Sequence, residues 1–295
     1  MHGLESFSRK AARLLLAATA LFLAATYGSI GEVLAADASA VPKIEAAQGT
    51  LVRWSLPGTK QCAMGGRAWP ALQETCYYPI DLSQPLGSTA ITRRGVGPAI
   101  LGHITVVAGS YGSEDIALGD IPQADPKPAD LQRNARDQAL LAKVWARREG
   151  PARFTLPLGA PAVPLPEGKG FGSKWIFNGK TESADLHTGA DFAMTAGTPI
   201  LAVADGTVVV AEDLFFSGNA VFIDHGDGLF TMYFHFSEIK VKSGQEVKKG
   251  EVVGLVGQTG RASGPHLHFG VRWHRARIDP QFVLGDPAKV PAVAP

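Results

Sequence analysis

The alternation of apolar and polar positions divides the chain into five stretches. The first holds an uncharged apolar run, residues 14–26, behind Arg9, Lys10 and Arg13. Small residues follow, and Val33-Leu34-Ala35 or Leu34-Ala35-Ala36 has the form a signal peptidase cuts. The run is short of the ~20 residues a membrane span needs. Residues 1–36 are therefore expected to be a cleaved signal peptide, with an uncleaved anchor as the alternative. No other stretch is long enough to span, so no stable membrane span is expected after cleavage.

Residues 37–120 read as a small N-terminal β domain. Residues 51–54 and 102–108 are strand-like and are separated by turns rich in Gly and Pro. Residues 121–150 form a connector. Its first part, 121–128, has three prolines and is expected to be neither helix nor central strand. Residues 130–148 then predict a helix, with Leu131, Ala135, Gln138, Ala139, Ala142 and Trp145 near one stripe. Arg147 and Arg148 suit its C-terminus, and Gly150-Pro151 stops it.

From 151 to 286 the period returns to two. Residues 199–212 predict a hairpin around Asp205-Gly206, and residues 219–239 a second around Gly226-Asp227-Gly228. Short Val-rich runs follow in 244–256, and 264–273 is expected to be the last strand. Residues 287–295 are left as a tail. The fold class expected is mainly β: an N-terminal β domain, a helical connector and a C-terminal antiparallel β-sheet domain.

Composition adds three constraints. A hydrophobic share of 45% against 19% charged residues suits a globular chain with a core. A net charge of +1 gives no basic excess, so nucleic acid is not an expected partner. The two cysteines, Cys62 and Cys76, are expected to form a disulfide in an exported protein. Half of a zinc site is the alternative, but the spacing is wrong for a knuckle and no histidine lies nearby.

The candidate chemistry lies in the histidines, eight in all. His2 falls in the leader. His103 stands alone in an apolar strand and is expected to be structural. His225, in a turn, and His274, past the last expected strand, are expected to be solvent-facing or structural. His266 and His268 flank Leu267, so strand geometry puts both imidazoles on one face. His187 and Asp191, in HTGAD, fit a turn with Asp191 entering a strand. Their nitrogen and oxygen donors suit zinc, whereas calcium or magnesium would want more oxygens. His235 follows Tyr233 by two and is expected to share its face.

H-x-x-x-D, Y-x-H and H-x-H, in that order within a glycine-rich β region, resemble the lysostaphin/LytM-type zinc metallopeptidases. The segments HTGADF, GTPILAVADGTVV, GNAVFIDHGDGLFTMYFHFSEI and VKKGEVVGLVGQTGRASGPHLHF carry the likeness from about residue 154 to 284. The N-terminal arrangement is similar to that of Gram-negative exported members. The resemblance implies a metallopeptidase domain with a zinc groove, one zinc per chain, and His187, Asp191 and His268 as its ligands. It implies that His235 and His266 are unligated catalytic histidines, which activate the zinc-bound water and steady the tetrahedral intermediate. The activity implied is a zinc-dependent endopeptidase cutting amide bonds of peptidoglycan peptides, with periplasmic localisation and a regulatory protein as a candidate partner. One departure stands out. Some members have a tyrosine upstream of the first ligand, whereas this chain has Trp175 and Phe177 there, leaving Tyr233 as another source of a hydroxyl.

Three other readings compete. A wall-binding activator without its own activity has no reason to keep all five site residues. A lipoyl-type carrier would need a lysine at a hairpin tip, and Lys240, Lys242, Lys248 and Lys249 do not sit in such a motif. A latent enzyme would have its groove covered by the N-terminal domain or the connector helix.

Overall fold

The computed structural model describes residues 41–147, 150–179 and 186–294. The expected signal peptide and Arg148 lie outside the described residues. Residues 41–295 form one compact unit. Among the described residues no helix is long and apolar enough to cross a membrane.

The first strands are β1 (Lys43–Ala47), β2 (Leu51–Ser55), β3 (Gln61–Met64), β4 (Arg67–Pro70), β5 (Thr75–Pro79), β6 (Gly87–Arg94), β7 (Ile100–Val107) and β8 (Ser113–Ile116). Five of them make a sheet in the order β1-β7-β6-β3-β4, and β2 pairs with β5 beside it. Trp54, Tyr78, Ile91 and Ile104 fill the space between them. The Cys62–Cys76 disulfide ties β3 to β5 across this core, as the sequence suggested. His103 sits on β7 against the Ser88 hydroxyl.

Helix α1 (Pro128–Trp145) starts two residues earlier than expected and ends three earlier. Pro128 fits at its first position because no intrahelical N–H is needed there. The Asp130 carboxylate accepts from the Lys127 amide and closes the first turn.

The remaining strands are β9 (Lys174–Phe177), β10 (Gly189–Ala193), β11 (Pro199–Leu201), β12 (Gly206–Leu214), β13 (Gly218–Asp224), β14 (Leu229–Ile239), β15 (Glu246–Val247), β16 (Val252–Val256), β17 (His266–Trp273) and β18 (Ala276–Ile278), with a short α2 (Gln281–Leu284). β8 and β9 pair in parallel. The others form a nine-stranded sheet along β10-β17-β14-β13-β12-β15, with β16 attached to β14, β11 to β16 and β18 to β17.

The hairpin expected around Gly226 is present, since β13 and β14 pair antiparallel. The one expected around Asp205-Gly206 is not: β11 pairs with β16, and β12 with β13 and β15. Asp205 explains this. Its carboxylate accepts from the Lys249 amide and the Lys248 ammonium, and its carbonyl accepts from His225 Nδ1. The Asp-Gly pair is a tether to neighbouring loops, not a two-residue turn.

The nine-stranded sheet buries both faces differently. On β17, Leu267, Phe269, Val271 and Trp273 enter the main core with Tyr233, Phe236, Ile200 and Val208. The opposite face carries a second cluster of Val210, Phe222, Phe230 and Met232, capped by α1 through Val144 with Leu140, Leu141 and Trp145. The expected helix stripe is therefore rotated. Leu131 is 53% exposed. The Asp137 carboxylate takes the Phe215 amide, and Arg133 pairs with Asp213 at 2.9 Å. In a run so rich in alanine, these polar anchors set the rotation.

The two sheets meet at a polar and aromatic seam. Arg277 of β18 grips the Asp81 carboxylate through Nε and a terminal nitrogen at 3.0 and 2.6 Å. Trp69 stacks on His274 at 4.3 Å. Residues 290–293 run along β2, where Val293 N donates to Arg53 O and Arg53 N donates to Pro291 O.

Candidate metal centre

β10 lies antiparallel to β17 with Asp191 opposite His268 and Ala193 opposite His266. Strand alternation turns Ala190, Phe192, Leu267 and Phe269 into the core, so Asp191, His266 and His268 point to the outer face. His187 arrives from the turn before β10, held by its amide to Ser173 O and its carbonyl to the Gly172 amide. His187 Nε2 then lies 3.0 Å from Asp191 Oδ1 and 2.9 Å from His268 Nδ1, and the last two are 3.0 Å apart.

Two nitrogens and one oxygen thus make a nearly equilateral triangle. A tetrahedral zinc with bonds of 2.0–2.1 Å sets its ligand atoms roughly 3.3 Å apart, so this donor set fits such an ion on one side and leaves the other open. Among the described residues it is the one group of three that could hold a metal. The rings are clamped by aromatic neighbours: Trp175 packs on His187 with centroids 4.3 Å apart, and Phe234 stacks on His268 at 4.8 Å. Gly189 makes room, because a Cβ there would lie 2.6 Å from His268 Nε2.

The electrostatics favour the ligand forms. Burial alone would raise the Asp191 carboxyl, but hydrogen bonds with His187 and His268 hold it well below the carboxylate range. Burial lowers His268, with Asp191 opposing. Both groups are held in the deprotonated state that metal binding needs.

His235 reaches the site by an irregularity. The register of β13 and β14 slips so that Val221 faces Tyr233 while Asn219 faces Phe236, and His235 has φ +66°. This bulge breaks the alternation. Tyr233 and Phe236 both enter the main core, while Phe234 and His235 both border the site. The expectation that Tyr233 and His235 share a face is corrected. So is the suggestion that Tyr233 supplies a hydroxyl: its oxygen is buried, taking the Val203 amide at 3.2 Å and lying 3.1 Å from Thr231 Oγ1.

His235 Nδ1 donates to Thr259 O, and His266 Nδ1 to Gly264 O, each at 2.8 Å. A carbonyl only accepts, so Nδ1 carries a proton, and in the neutral ring Nε2 is then the nitrogen with the lone pair. Burial, and then the neighbouring His266 and His268, push His235 down to about 3. The two rings are 4.7 Å apart, and His266 Nε2 lies 3.7 Å from Asp191 Oδ2. All five residues singled out in the sequence are brought together here.

Of the two readings open for His225 and His274, solvent-facing or structural, burial supports the structural one. His225 is fully buried, bonding Asp205 O at 2.8 Å and lying 2.7 Å from Thr231 Oγ1. His274 is buried in the seam against Trp69.

Over the centre runs a groove of ≈ 550 Å³. Its walls include residues the sequence reading did not single out for the site: Asn134 and Gln138 of α1, Ser83, Phe216, Arg261 and Arg277. Asn134 and Gln138, one turn apart on the helix, bond each other, with Gln138 Nε2 donating to Asn134 Oδ1.

Fold and site together define a mainly β protein with a group of three donors that could hold a metal ion, in an open groove. Residues 185–280 match the model of peptidase family M23. The chain is similar to a solved putative peptidase M23 from Pseudomonas aeruginosa, 30% identical with a TM-score of 0.62, over 81% of this chain and 95% of that one. This chain belongs to peptidase family M23. It is 49% identical over 89 residues to the peptidoglycan DD-endopeptidase ShyA of Vibrio cholerae, covering 30% of this chain and 21% of that protein. It is 44% identical over 95 residues to the DD-carboxypeptidase/endopeptidase Mpg of Neisseria meningitidis, covering 32% and 22%. The match thus spans only about a fifth of these curated relatives.

Proposed function

We propose that this protein is a zinc-dependent endopeptidase that hydrolyses amide bonds in peptidoglycan peptides, acting in the periplasm after export. The observation that carries this reading is the triangle of His187 Nε2, Asp191 Oδ1 and His268 Nδ1, 2.9–3.0 Å on a side, beside two imidazoles with lone pairs to spare. The names of the relatives support a peptide bond between D-centres as the target.

His187, Asp191 and His268 would hold one zinc. When bound, that ion lowers the pKa of a water towards 7 and polarises the scissile carbonyl. The proton must then go to a neutral base. His235 and His266 each offer Nε2 as an acceptor, with Nδ1 committed to a backbone carbonyl. Neither can donate to an oxyanion while neutral. The imidazole that takes the proton becomes the donor that steadies the tetrahedral oxygen, and it returns the proton to the leaving amine.

The test is zinc content and digestion of purified peptidoglycan by the mature chain beside His268→Ala. We expect one zinc per chain in the wild type, with cross-linked muropeptides consumed by it alone. No zinc and no digestion would reject the reading and favour a wall-binding activator. Zinc without digestion would point to a latent enzyme.

A further inference from the structure

The donor triangle uses Nε2 of His187 and leaves the other nitrogen of that ring over. An imidazole that gives its Nε2 lone pair to a metal keeps its proton on Nδ1. His187 Nδ1 is buried and has no hydrogen-bond partner among the described residues. A buried donor without an acceptor is unfavourable, and metal-bound histidines nearly always give this second N–H to a carboxylate, a carbonyl or water.

The fold brings Glu114 to that nitrogen. β8 and β9 pair in parallel with Glu114 opposite Trp175, so these two side chains leave the pair on one face. Trp175 is the ring that packs on His187, centroids 4.3 Å apart. Gly170 lies beside both residues. A Cβ built on it would stand 2.7 Å from His187 Nδ1 and 3.1 Å from Glu114 Oε1. Nitrogen and oxygen are thus each about a hydrogen-bond length from one point over the Gly170 backbone.

Glycine keeps that space open. Gly170 has φ +81°, a conformation that suits glycine, and any side chain there would intrude on both atoms. Its own carbonyl is committed to the turn, accepting the Ser173 amide at 3.0 Å and the Ser173 hydroxyl at 2.7 Å. The Glu114 side chain is exposed, so rotation about its stem carries the carboxylate to the nitrogen without disturbing the core.

We infer that Glu114 is a positioning residue of the metal centre: its carboxylate accepts the Nδ1 proton of His187, aims Nε2 at the ion and makes the ring a stronger ligand. This rests on the zinc reading above. Glu114 lies outside residues 185–280, the segment that matches the family model, so a strand of the N-terminal region tunes a centre built in the C-terminal one.

The experiment measures zinc affinity by competition with a chromogenic chelator for the mature wild type, Glu114→Ala, Glu114→Gln and Asp115→Asn. Asp115 is the control. It is the next residue on β8, its carboxylate takes the Gly179 amide, and asparagine keeps that acceptor while removing the same charge. We expect zinc to bind roughly 10- to 100-fold more weakly to Glu114→Ala. The loss should be smaller in Glu114→Gln, which keeps a neutral acceptor, and absent in Asp115→Asn. Metal-free Glu114→Ala should unfold at the wild-type denaturant midpoint, because the side chain is exposed. In the zinc-loaded, isotope-labelled protein the His187 Nδ1 proton should be seen by NMR, and in Glu114→Ala it should move upfield and exchange faster with solvent. Wild-type affinity in both Glu114 variants would overturn the inference. So would an equal loss in Asp115→Asn, which would reduce the effect to general charge, or a matching loss of metal-free stability, which would make Glu114 structural. A wild type that binds no zinc would reject the metal reading itself.

Discussion

His225 and His235 both lie deep in the C-terminal sheet, and burial lowers both, to about 4 and about 3. They differ in how their nitrogens are engaged. His225 meets Asp205 O with one and Thr231 Oγ1 with the other, so the protein uses the whole ring as a cross-brace between loop and strand. His235 commits only Nδ1, to Thr259 O, and keeps Nε2 toward the groove. Burial and a low pKa therefore do not mark a reagent. A spare nitrogen on an open wall does.

The comparison is tested most strongly by alanine at each position. His235→Ala should lower kcat/KM for peptidoglycan peptides by roughly 10²–10⁴-fold, the usual contribution of a proton-transfer group, with zinc content close to wild type. His225→Ala should do the reverse. It opens a cavity in a fully buried site, takes the donor from the Asp205 carbonyl and one of the two partners from the Thr231 hydroxyl, and should lower the unfolding free energy by about 3 kcal/mol in denaturant titrations, while folded protein stays active. Equal stability losses with equal activity losses would break the distinction.

A somewhat smaller effect is expected in the pH dependence of stability. An unfolded histidine titrates near 6.5, whereas burial holds His225 at about 4 in the fold. Its contribution is fully present above pH 6.5. As pH falls from 6.5 to 4 the unfolded chain takes up a proton that the folded chain refuses, and stability is lost. The loss is about 1.4 kcal/mol per pH unit at most, or about 3 kcal/mol in all. Denaturant titrations at pH 7.0 and 4.5 should therefore converge for His225→Gln relative to the wild type. An unchanged slope in the variant would place the acid sensitivity elsewhere.

Much of this arrangement was legible in the sequence, because period-two alternation is a local rule. It placed His266 and His268 on one face of β17 and let Asp191 enter a strand beside them. What the sequence did not show were features decided by partners distant along the chain. The bulge at Phe234-His235 carries no Gly or Pro to announce it. It exists because Tyr233 and Phe236 must both enter the core. Asp205-Gly206 looked like a hairpin turn because its local chemistry is that of one, and only Lys248, Lys249 and His225 redirect it. The rotation of α1 was set by Asp137 and Arg133 reaching Phe215 and Asp213, about eighty residues on. These same long-range contacts bring Asn134 and Gln138 to the groove, which the alanine-rich stripe could not reveal.

The smallest expected effect separates Tyr233 from its neighbour His235. The hydroxyl of Tyr233 points away from the groove, into the network of Val203 N and Thr231 Oγ1, and its ring packs on Phe269 with centroids 5.2 Å apart. Tyr233→Phe keeps the ring, so no cavity opens. It strips a buried amide of its acceptor, which costs about 1–2 kcal/mol. We expect a lower denaturation midpoint with kcat/KM within about twofold of wild type, since loss of a buried neutral hydrogen bond on the far face leaves the donor triangle alone. A tenfold fall in kcat with stability intact would mean that the tyrosine hydroxyl serves the reaction. That result would place Tyr233 and His235 in one functional unit, against the separation that the bulge imposes.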